Sequence, residues 1–240
     1  MTDDATGIKF NRGKLLSGII YPKFFPIDDN DEVINVGCGN GPQAVIYKDR
    51  YKNMVGVDIN QERLDMAKQV ARYFGVKNFE TICANVEDIP MNKEFDKAVA
   101  IDIVEHVIHP EKLVGEIYRL LKREGTLLIT FPAMHDKWEL FFRFIGRKIL
   151  RRKEKPKKEG WDPDAHEHNY SLKEWINILE RGGFVLVKSR GSTLFPPLHY
   201  YGVPRFWFSN RFIHAVDDYL SRLPVLKNYG QALVCIFSKR

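Results

Sequence analysis

Three glycines spaced two residues apart are the part of this sequence most suited to chemistry. Gly37, Gly39 and Gly41 follow an apolar run at residues 33–36 and precede Pro42. The apolar run predicts a buried parallel strand, and proline suits the first position of a helix. Glycine tolerates the dihedral angles of a tight turn, and it lets a ligand approach the backbone because it has no Cβ. The pattern therefore predicts a strand, a turn and a helix, with the turn against a bound cofactor.

The spacing of these glycines separates two kinds of cofactor. The pattern here is G-x-G-x-G, whereas dinucleotide-binding proteins have G-x-G-x-x-G, and Pro42 stands where their third glycine would be. A second apolar run ends in Asp58, roughly 20 residues after the turn, where a carboxylate can accept hydrogen bonds from ribose hydroxyls. That carboxylate suits either cofactor. An NAD-dependent oxidoreductase therefore stays as an alternative, which Pro42 and the later motifs disfavour.

Histidines are the candidates for a general base, because imidazole titrates near neutrality. His106 lies in the sequence E-H-V, and His168 ends the sequence H-E-H; His135 and His199 are further candidates. A structural hydrogen bond explains His106 at least as well as catalysis does. The pair His166 and His168 lacks a third ligand at metal-binding spacing, so no metal site is predicted.

Apolar periodicity predicts alternating strands and helices along the chain. The predicted strands are residues 33–36, 54–57, 79–83, 97–101, 126–131, 184–189 and 232–238, and the predicted helices are 61–74, 111–122, 138–151 and 171–181, with a short helix after Pro42. This alternation is typical of an α/β protein with a mostly parallel sheet that is covered on both faces.

Several motifs in order resemble the class I methyltransferases that depend on S-adenosylmethionine, and among them the small-molecule, type 11 branch that includes quinone-biosynthesis enzymes. The motifs are V-I-N-V-G-C-G-N-G, G-V-D-I-N, C-A-N-V-E-D-I-P, F-D-K-A-V-A-I-D-I-V-E-H-V, L-L-K-R-E-G-T-L-L-I-T-F-P and H-N-Y-S-L-K-E-W-I-N-I-L-E-R-G-G-F. The resemblance implies a doubly wound, mostly parallel seven-stranded sheet whose last strand is antiparallel. It also implies one domain over residues 1–240, with an N-terminal cap at 1–30, a cofactor-binding core at 33–131, and helical, aromatic lid insertions at 134–165 and 192–230 that form the acceptor pocket.

The same resemblance implies S-adenosylmethionine as the cofactor and a set of residues that contact it. The three glycines would line its methionine portion, Asp58 would accept from the ribose hydroxyls, and Asn85 would face the adenine amino group. The complete set of implied contact residues is Asn35, Gly37, Cys38, Gly39, Gly41, Asp58, Ile59, Asn85, Val86, Asp102 and Ile103. Of these, Asp102 and Ile103 would lie near the methyl donor and the acceptor.

Two positions depart from the family pattern. The family usually has an acidic residue where this chain has Asn35, and aspartate where it has Asn85. Each asparagine keeps a hydrogen-bond acceptor but removes a negative charge, and a charge-assisted hydrogen bond is about twice as strong as a neutral one. Weaker cofactor binding is expected, and a non-catalytic binding module that kept the fold is the alternative function.

The positive charge of the chain is concentrated in one segment. Residues 143–158 hold nine basic side chains and one acidic side chain, a charge of +8, so the remaining residues sum to −2 of the total +6. This cluster follows an apolar helical pattern and predicts either contact with an anionic membrane surface or a solvated loop. We expect a small acceptor that is apolar or lipid-linked, with oxygen, nitrogen or carbon as the methylated atom. An RNA methyltransferase ranks lower, because the charge is local and the base-methylating motifs are missing.

Two further features bear on location. The start M-T-D-D lacks the pattern of a secretory signal, and no run approaches the roughly 18 apolar residues of a membrane span. Three cysteines at irregular spacing favour buried thiols in a reducing compartment. We therefore expect a cytoplasmic protein that has no transmembrane segment, with the periphery of a membrane as the alternative location.

Overall fold

The computed structural model describes residues 22–132, 168, 170–192, 215–216, 219–220, 222–223, 226 and 232–240. The elements are, in chain order, β1 (Glu32–Val36), α1 (Pro42–Ile46), β2 (Asn53–Asp58), α2 (Gln61–Tyr73), β3 (Phe79–Cys83), β4 (Phe95–Ala100), α3 (Pro110–Leu120), β5 (Leu121–Pro132), α4 (Leu172–Arg181), β6 (Phe184–Ser192) and β7 (Ala232–Lys239). The predicted insertion 134–165, with its basic cluster 143–158, lies outside the described residues, as do most of the predicted cap and most of the insertion 192–230.

The strands form one sheet of seven in the order β3-β2-β1-β4-β5-β7-β6. Neighbouring strands from β3 to β5 are parallel, and β7 runs antiparallel to both β5 and β6. The predicted α/β fold with an antiparallel last strand is therefore confirmed. Chain order reverses between β1 and β4, and at such a switch point the carboxyl ends of the strands open a crevice for a ligand.

Alternate residues of the central strands enter two separate apolar clusters. Ile34 packs in the cluster that includes residues of α3 and α4, whereas Val33 packs in the cluster that includes Phe25 and Tyr47. Leu127 and Leu128 divide between the two clusters in the same way. Because successive side chains of a strand point to opposite faces, the two clusters cover the two faces of the sheet. The sheet therefore lies between two apolar layers.

Two caps and two prolines set where the helices α1 to α4 begin. The Asn60 side chain accepts a hydrogen bond from the Arg63 amide at the start of α2, and Ser171 and Glu174 form a capping box at the start of α4. Both were expected from the residue types. Proline opens α1 and α3, as the sequence predicts.

The start of β5 differs from its predicted position. The sequence predicts a helix through Lys122 and a strand from Thr126, but β5 begins at Leu121, directly after α3. Leu121 is fully buried and pairs with Phe95 of β4, and the register shifts before the next pair. The helix ends here because the Leu121 side chain is buried against the neighbouring strand. The apolar periodicity of the helix cannot predict this pairing, because it depends on a distant segment. Within the described ranges no helix has the length and apolarity that a membrane crossing requires.

Candidate functional site

The turn between β1 and α1 is built from three residues with left-handed backbone angles. Gly37, Gly39 and Gly41 have φ of 69°, 51° and 71°. The turn is anchored by the amide of Cys38, which donates to the Val57 carbonyl at 2.9 Å. Residues other than glycine rarely adopt these backbone angles, which explains the glycine at each position.

Asp58 fixes this turn from the end of β2. Its carboxylate accepts a hydrogen bond from the Gly39 amide at 2.8 Å through one oxygen and from the Asn60 amide at 2.9 Å through the other. The side chain is buried. A carboxylate offers about four lone-pair sites, so two amides leave acceptor capacity for hydroxyl groups of a ligand. Contact with ribose hydroxyls stays a prediction that this geometry permits.

The three glycines face different surroundings. A Cβ on Gly37 would lie 2.7 Å from the Ile103 side chain, and one on Gly41 would lie 3.0 Å from Ala67. A Cβ on Gly39 would have no atom within 4 Å. Gly37 and Gly41 therefore allow close packing within the protein, whereas Gly39 borders open space into which a ligand can press. The turn is a cradle of the kind that the resemblance implies.

Asn35 and Gln43 form a buried amide pair beneath the turn. Asn35 is fully buried, and its Nδ2 donates to Gln43 Oε1 at 3.2 Å. Asn35 Oδ1 is buried and has no hydrogen-bond partner within the part of the chain that the structure describes. An unsatisfied buried acceptor costs about 1–3 kcal/mol, so a donor supplied by a ligand would be favourable here. This orphan oxygen is a second feature that fits a cofactor carrying an ammonium group.

Cys38 contributes packing to the turn. Its side chain is buried, and burial, with a smaller effect from the charge of Asp58, raises the pKa of the thiol far above its ordinary value. A thiol that stays neutral is a poor nucleophile and a poor metal ligand. Cys38 can therefore contact a cofactor as a small apolar group only.

Asp102 brings the end of β4 beside the turn. Its φ is 51°, a left-handed value that is uncommon for a residue other than glycine. The backbone is held there by Thr130 of β5, whose Oγ1 accepts from the Asp102 amide at 2.8 Å and donates to Asp102 Oδ1 at 3.2 Å. The next residue, Ile103, packs against Gly37. Strained backbone of this kind often marks functional sites.

The loop after β3 contributes the other predicted contacts. Asn85 is exposed, and its Oδ1 accepts from the Glu87 amide at 3.0 Å, whereas Val86 is buried. Ile59, at the end of the neighbouring strand β2, is 50% exposed, although it is a large apolar residue. These residues lie at the carboxyl edge of the sheet, where the resemblance implies the adenine.

The two candidate histidines occupy different positions. His106 lies in the turn after β4, where its amide donates to the Ile103 carbonyl at 3.0 Å. His168 lies before α4, its Nε2 is 3.1 Å from the Ile108 carbonyl oxygen, and its ring stacks on Tyr170 with centroids 4.9 Å apart. Because a carbonyl oxygen only accepts, Nε2 of His168 carries the proton. His135 and His199 lie outside the described residues, and among the residues that are described no cluster of ligands could hold a metal ion.

Sequence reasoning missed the side chains that support the site. The Gln43 and Thr130 side chains each hold a predicted site residue in place, whereas the Glu87 carboxylate holds the amides of Ile108 and His109. Thr130 had a signal, because it is the polar residue within an otherwise apolar run, L-L-I-T-F. Glu87 lies within one of the quoted motifs, but its partners are distant in sequence. Gln43 had no local signal, since a polar residue at a helix start is ordinarily exposed.

Part of the chain is similar to known proteins. Residues 34–129 match the type 11 methyltransferase family, described as "Methyltransferase domain". An uncharacterized protein of Methanocaldococcus jannaschii is 29% identical over 70% of this chain and 67% of its own length. A ubiquinone biosynthesis O-methyltransferase of Rickettsia canadensis is 25% identical over 58% of this chain. The matched part of this chain spans about half, 55%, of the length of that relative.

Solved structures share the fold. A crystal structure described as a SAM-dependent methyltransferase of Methanosarcina mazei has a TM-score of 0.61, with 19% identity over 92% of this chain and 98% of that one. At this identity the likeness concerns the fold alone.

The contrast between the glycines gives a first prediction. We expect Gly39→Ala to lose binding of S-adenosylhomocysteine by at least about tenfold, because the added methyl enters the space left for a ligand. The variant should stay folded, with a loss of about 1–2 kcal/mol from the left-handed backbone. Isothermal titration calorimetry measures the binding, and circular dichroism the fold.

The matched control is Gly37→Ala. It has the same backbone cost and in addition a 2.7 Å approach to Ile103. It should therefore lower the melting temperature more than Gly39→Ala does. Native binding by the folded Gly39→Ala variant would mean that the ligand does not press against this turn.

Proposed function

We propose that this chain, in which residues 34–129 match a methyltransferase family, transfers a methyl group from S-adenosylmethionine to a small acceptor that is apolar or linked to a lipid. The observation that carries the proposal is the cradle at Gly39, which is held by Asp58 and opens onto the switch point of the sheet. S-adenosylmethionine, when bound, supplies a methyl group that its sulfonium already makes electrophilic. The remaining task of the protein is to hold and orient two molecules.

The residues of the carboxyl edge have separate roles in that task. Asp58 would accept from the ribose hydroxyls, the orphan oxygen of Asn35 would accept from the ammonium group, and Ile59 would cover a face of the adenine. Asp102 and Ile103 would border the reacting end, where Ile103 is held against Gly37. Orienting two reactants in this way can supply roughly 7–11 kcal/mol of the barrier in the best cases.

A general base is needed only where the acceptor carries a proton at the working pH. We propose His168 for this role ahead of His106. The hydrogen bond from Nε2 to the Ile108 carbonyl leaves Nδ1 as the nitrogen that can accept a proton. Stacking on Tyr170, and an edge contact with Trp175 at 6.4 Å, restrict the ring further.

The nature of the acceptor rests on two observations. One relative is named as a ubiquinone biosynthesis O-methyltransferase. In this chain, residues 143–158 carry a charge of +8 after an apolar helical pattern. A surface that binds anionic lipid would give the enzyme access to an acceptor dissolved in the membrane.

Transfer of label from methyl-labelled S-adenosylmethionine tests the proposed reaction. The protein is incubated with a whole-cell extract, and the label is then partitioned among organic, aqueous and nucleic-acid fractions. We expect label in the organic fraction, at a rate at least about tenfold above that of the folded Gly39→Ala variant. Label in the nucleic-acid fraction would instead favour an RNA methyltransferase and overturn the acceptor.

Restoring the missing carboxylate tests whether the chain is a methyltransferase or a binding module that has lost the cofactor. We expect Asn35→Asp to bind S-adenosylhomocysteine about fivefold more tightly, since a charge-assisted bond gains about 1 kcal/mol over a neutral one. Burial raises the pKa of a carboxyl group, so the gain should appear as the pH rises and vanish at low pH. Calorimetry at several pH values measures it.

Asn85→Asp is the control, because it adds the same charge at an exposed position and should change the affinity less. Absence of binding by the folded native chain, together with binding by Asn35→Asp, would favour the non-catalytic module. Unchanged affinity of the folded Asn35→Asp variant at high pH would contradict the placement of Asn35 beside the ammonium group.

Liposome sedimentation tests the membrane surface. Replacement of Arg147, Lys148, Arg151 and Arg152 by glutamine removes four charges, each worth about 1 kcal/mol near an anionic surface. We expect association with vesicles containing phosphatidylserine to fall by at least about tenfold. Vesicles of phosphatidylcholine alone are the control, and unchanged association would remove the membrane from the proposal.

A further inference from the structure

Glu87 joins two loops at the carboxyl edge of the sheet. One oxygen of its carboxylate accepts from the Ile108 amide at 2.8 Å and from the His109 amide at 3.2 Å. These amides immediately precede α3, whose N-cap residue His109 makes no capping hydrogen bond through its side chain. A carboxylate at a helix N-terminus is favoured by the helix dipole. Glu87 thus caps α3 from a loop that lies 21 residues earlier in the chain.

Ile108 connects Glu87 to His168 through two hydrogen bonds. Its amide is held by Glu87, and its carbonyl accepts from Nε2 of His168 at 3.1 Å. The His109 amide, which Glu87 also holds, and the Ile108 carbonyl belong to the same planar peptide unit, so a movement of this amide displaces the carbonyl. Ile108 itself is 55% exposed, and its own side chain adds little to hold it.

In the other direction, Glu87 is tied to the loop predicted to hold adenine. Its amide donates to Asn85 Oδ1 at 3.0 Å, and Val86 between them is buried. The contacts therefore run without interruption from Asn85 through Glu87 and Ile108 to His168. The links are hydrogen bonds, the side chain of Glu87, and the peptide unit that joins Ile108 to His109.

We infer that Glu87 is a positioning residue for His168. By fixing Ile108, it holds the carbonyl that keeps the proton on Nε2 and leaves Nδ1 available to the acceptor. Because the same side chain belongs to the Asn85 loop, a cofactor bound at that loop and the orientation of His168 affect each other. The catalytic consequence rests on the proposed function, whereas the link from Glu87 to His168 does not.

A second contact between the same loop and α3 provides a matched control. Glu116 accepts from the Ile89 amide at 2.8 Å, and Arg119 donates to the Ile89 carbonyl at 3.0 Å and to the Met91 carbonyl at 2.6 Å. The hydrogen bond from Arg119 holds the pKa of Glu116 below its ordinary value. Arg119→Ala therefore loosens this loop on α3 without removing a bond to Ile108.

Nuclear magnetic resonance of the full chain labelled with ¹⁵N-histidine tests the inference without activity. His168→Gln assigns the ring signals, which report the tautomer, and hydrogen exchange reports the Ile108 and His109 amides. We expect Glu87→Ala to speed exchange at both amides about tenfold, as for loss of a bond to a charged group. It should also mix the two neutral tautomers of His168. Glu87→Gln, which keeps an acceptor oxygen, should retain most of the native pattern.

Arg119→Ala should lower the melting temperature but leave the His168 tautomer native. A native tautomer in folded Glu87→Ala, or equal disturbance by Arg119→Ala, would overturn the inference and leave Glu87 as a helix cap alone. Addition of S-adenosylhomocysteine should slow Ile108 exchange in the native chain and not in Glu87→Ala. Should the native chain bind none, the proposed function fails, while the tautomer result still decides the role of Glu87.

Discussion

The hydrogen bond from the Gly39 amide to the Asp58 carboxylate is the interaction on which the candidate site depends. It joins the turn after β1 to the end of β2, two strands that pair in parallel register up to Val36 and Val57. The turn has left-handed angles at Gly37, Gly39 and Gly41, and an amide of such a turn needs a fixed acceptor to stay in one conformation. Asp58 supplies that acceptor from a buried position. The cradle is therefore formed by the protein before any ligand arrives.

This dependence explains why the glycine turn and its anchoring carboxylate can be predicted from sequence. The glycines, the proline and the acidic residue are local signals, because each reports the backbone angle or strand end at its own position. The register of β1 on β2 then brings Asp58 to the turn without help from distant segments. The sheet order could be anticipated as well, since alternating strands and helices restrict the topology to a few arrangements.

The supporting side chains could not be predicted in this way, because their partners are set by tertiary register. Thr130 meets Asp102 only because β4 and β5 pair with Ala100 opposite Ile129. Glu87 meets Ile108 only because two loops lie side by side at one edge of the sheet. The early start of β5 has the same origin, since Leu121 leaves the helical pattern to pair with Phe95. In each case tertiary packing, and not the local sequence pattern, determines the partner of the residue.

The electrostatics of the site also follow from these contacts. Both donors to Asp58 are neutral backbone amides, which orient a carboxylate without cancelling its charge. At the opposite end of the cradle Asn35 is neutral, and its amide is paired with the equally neutral Gln43. Asp58 and Asp102 therefore bring carboxylates to the turn, whereas Asn35 brings only an orphan oxygen dipole. A cationic cofactor bound here would owe more of its affinity to shape and to Asp58 than to a charge pair with its ammonium group. We consequently expect loss of the Gly39 cradle to weaken cofactor binding more than asparagine in place of an acidic residue at position 35 does.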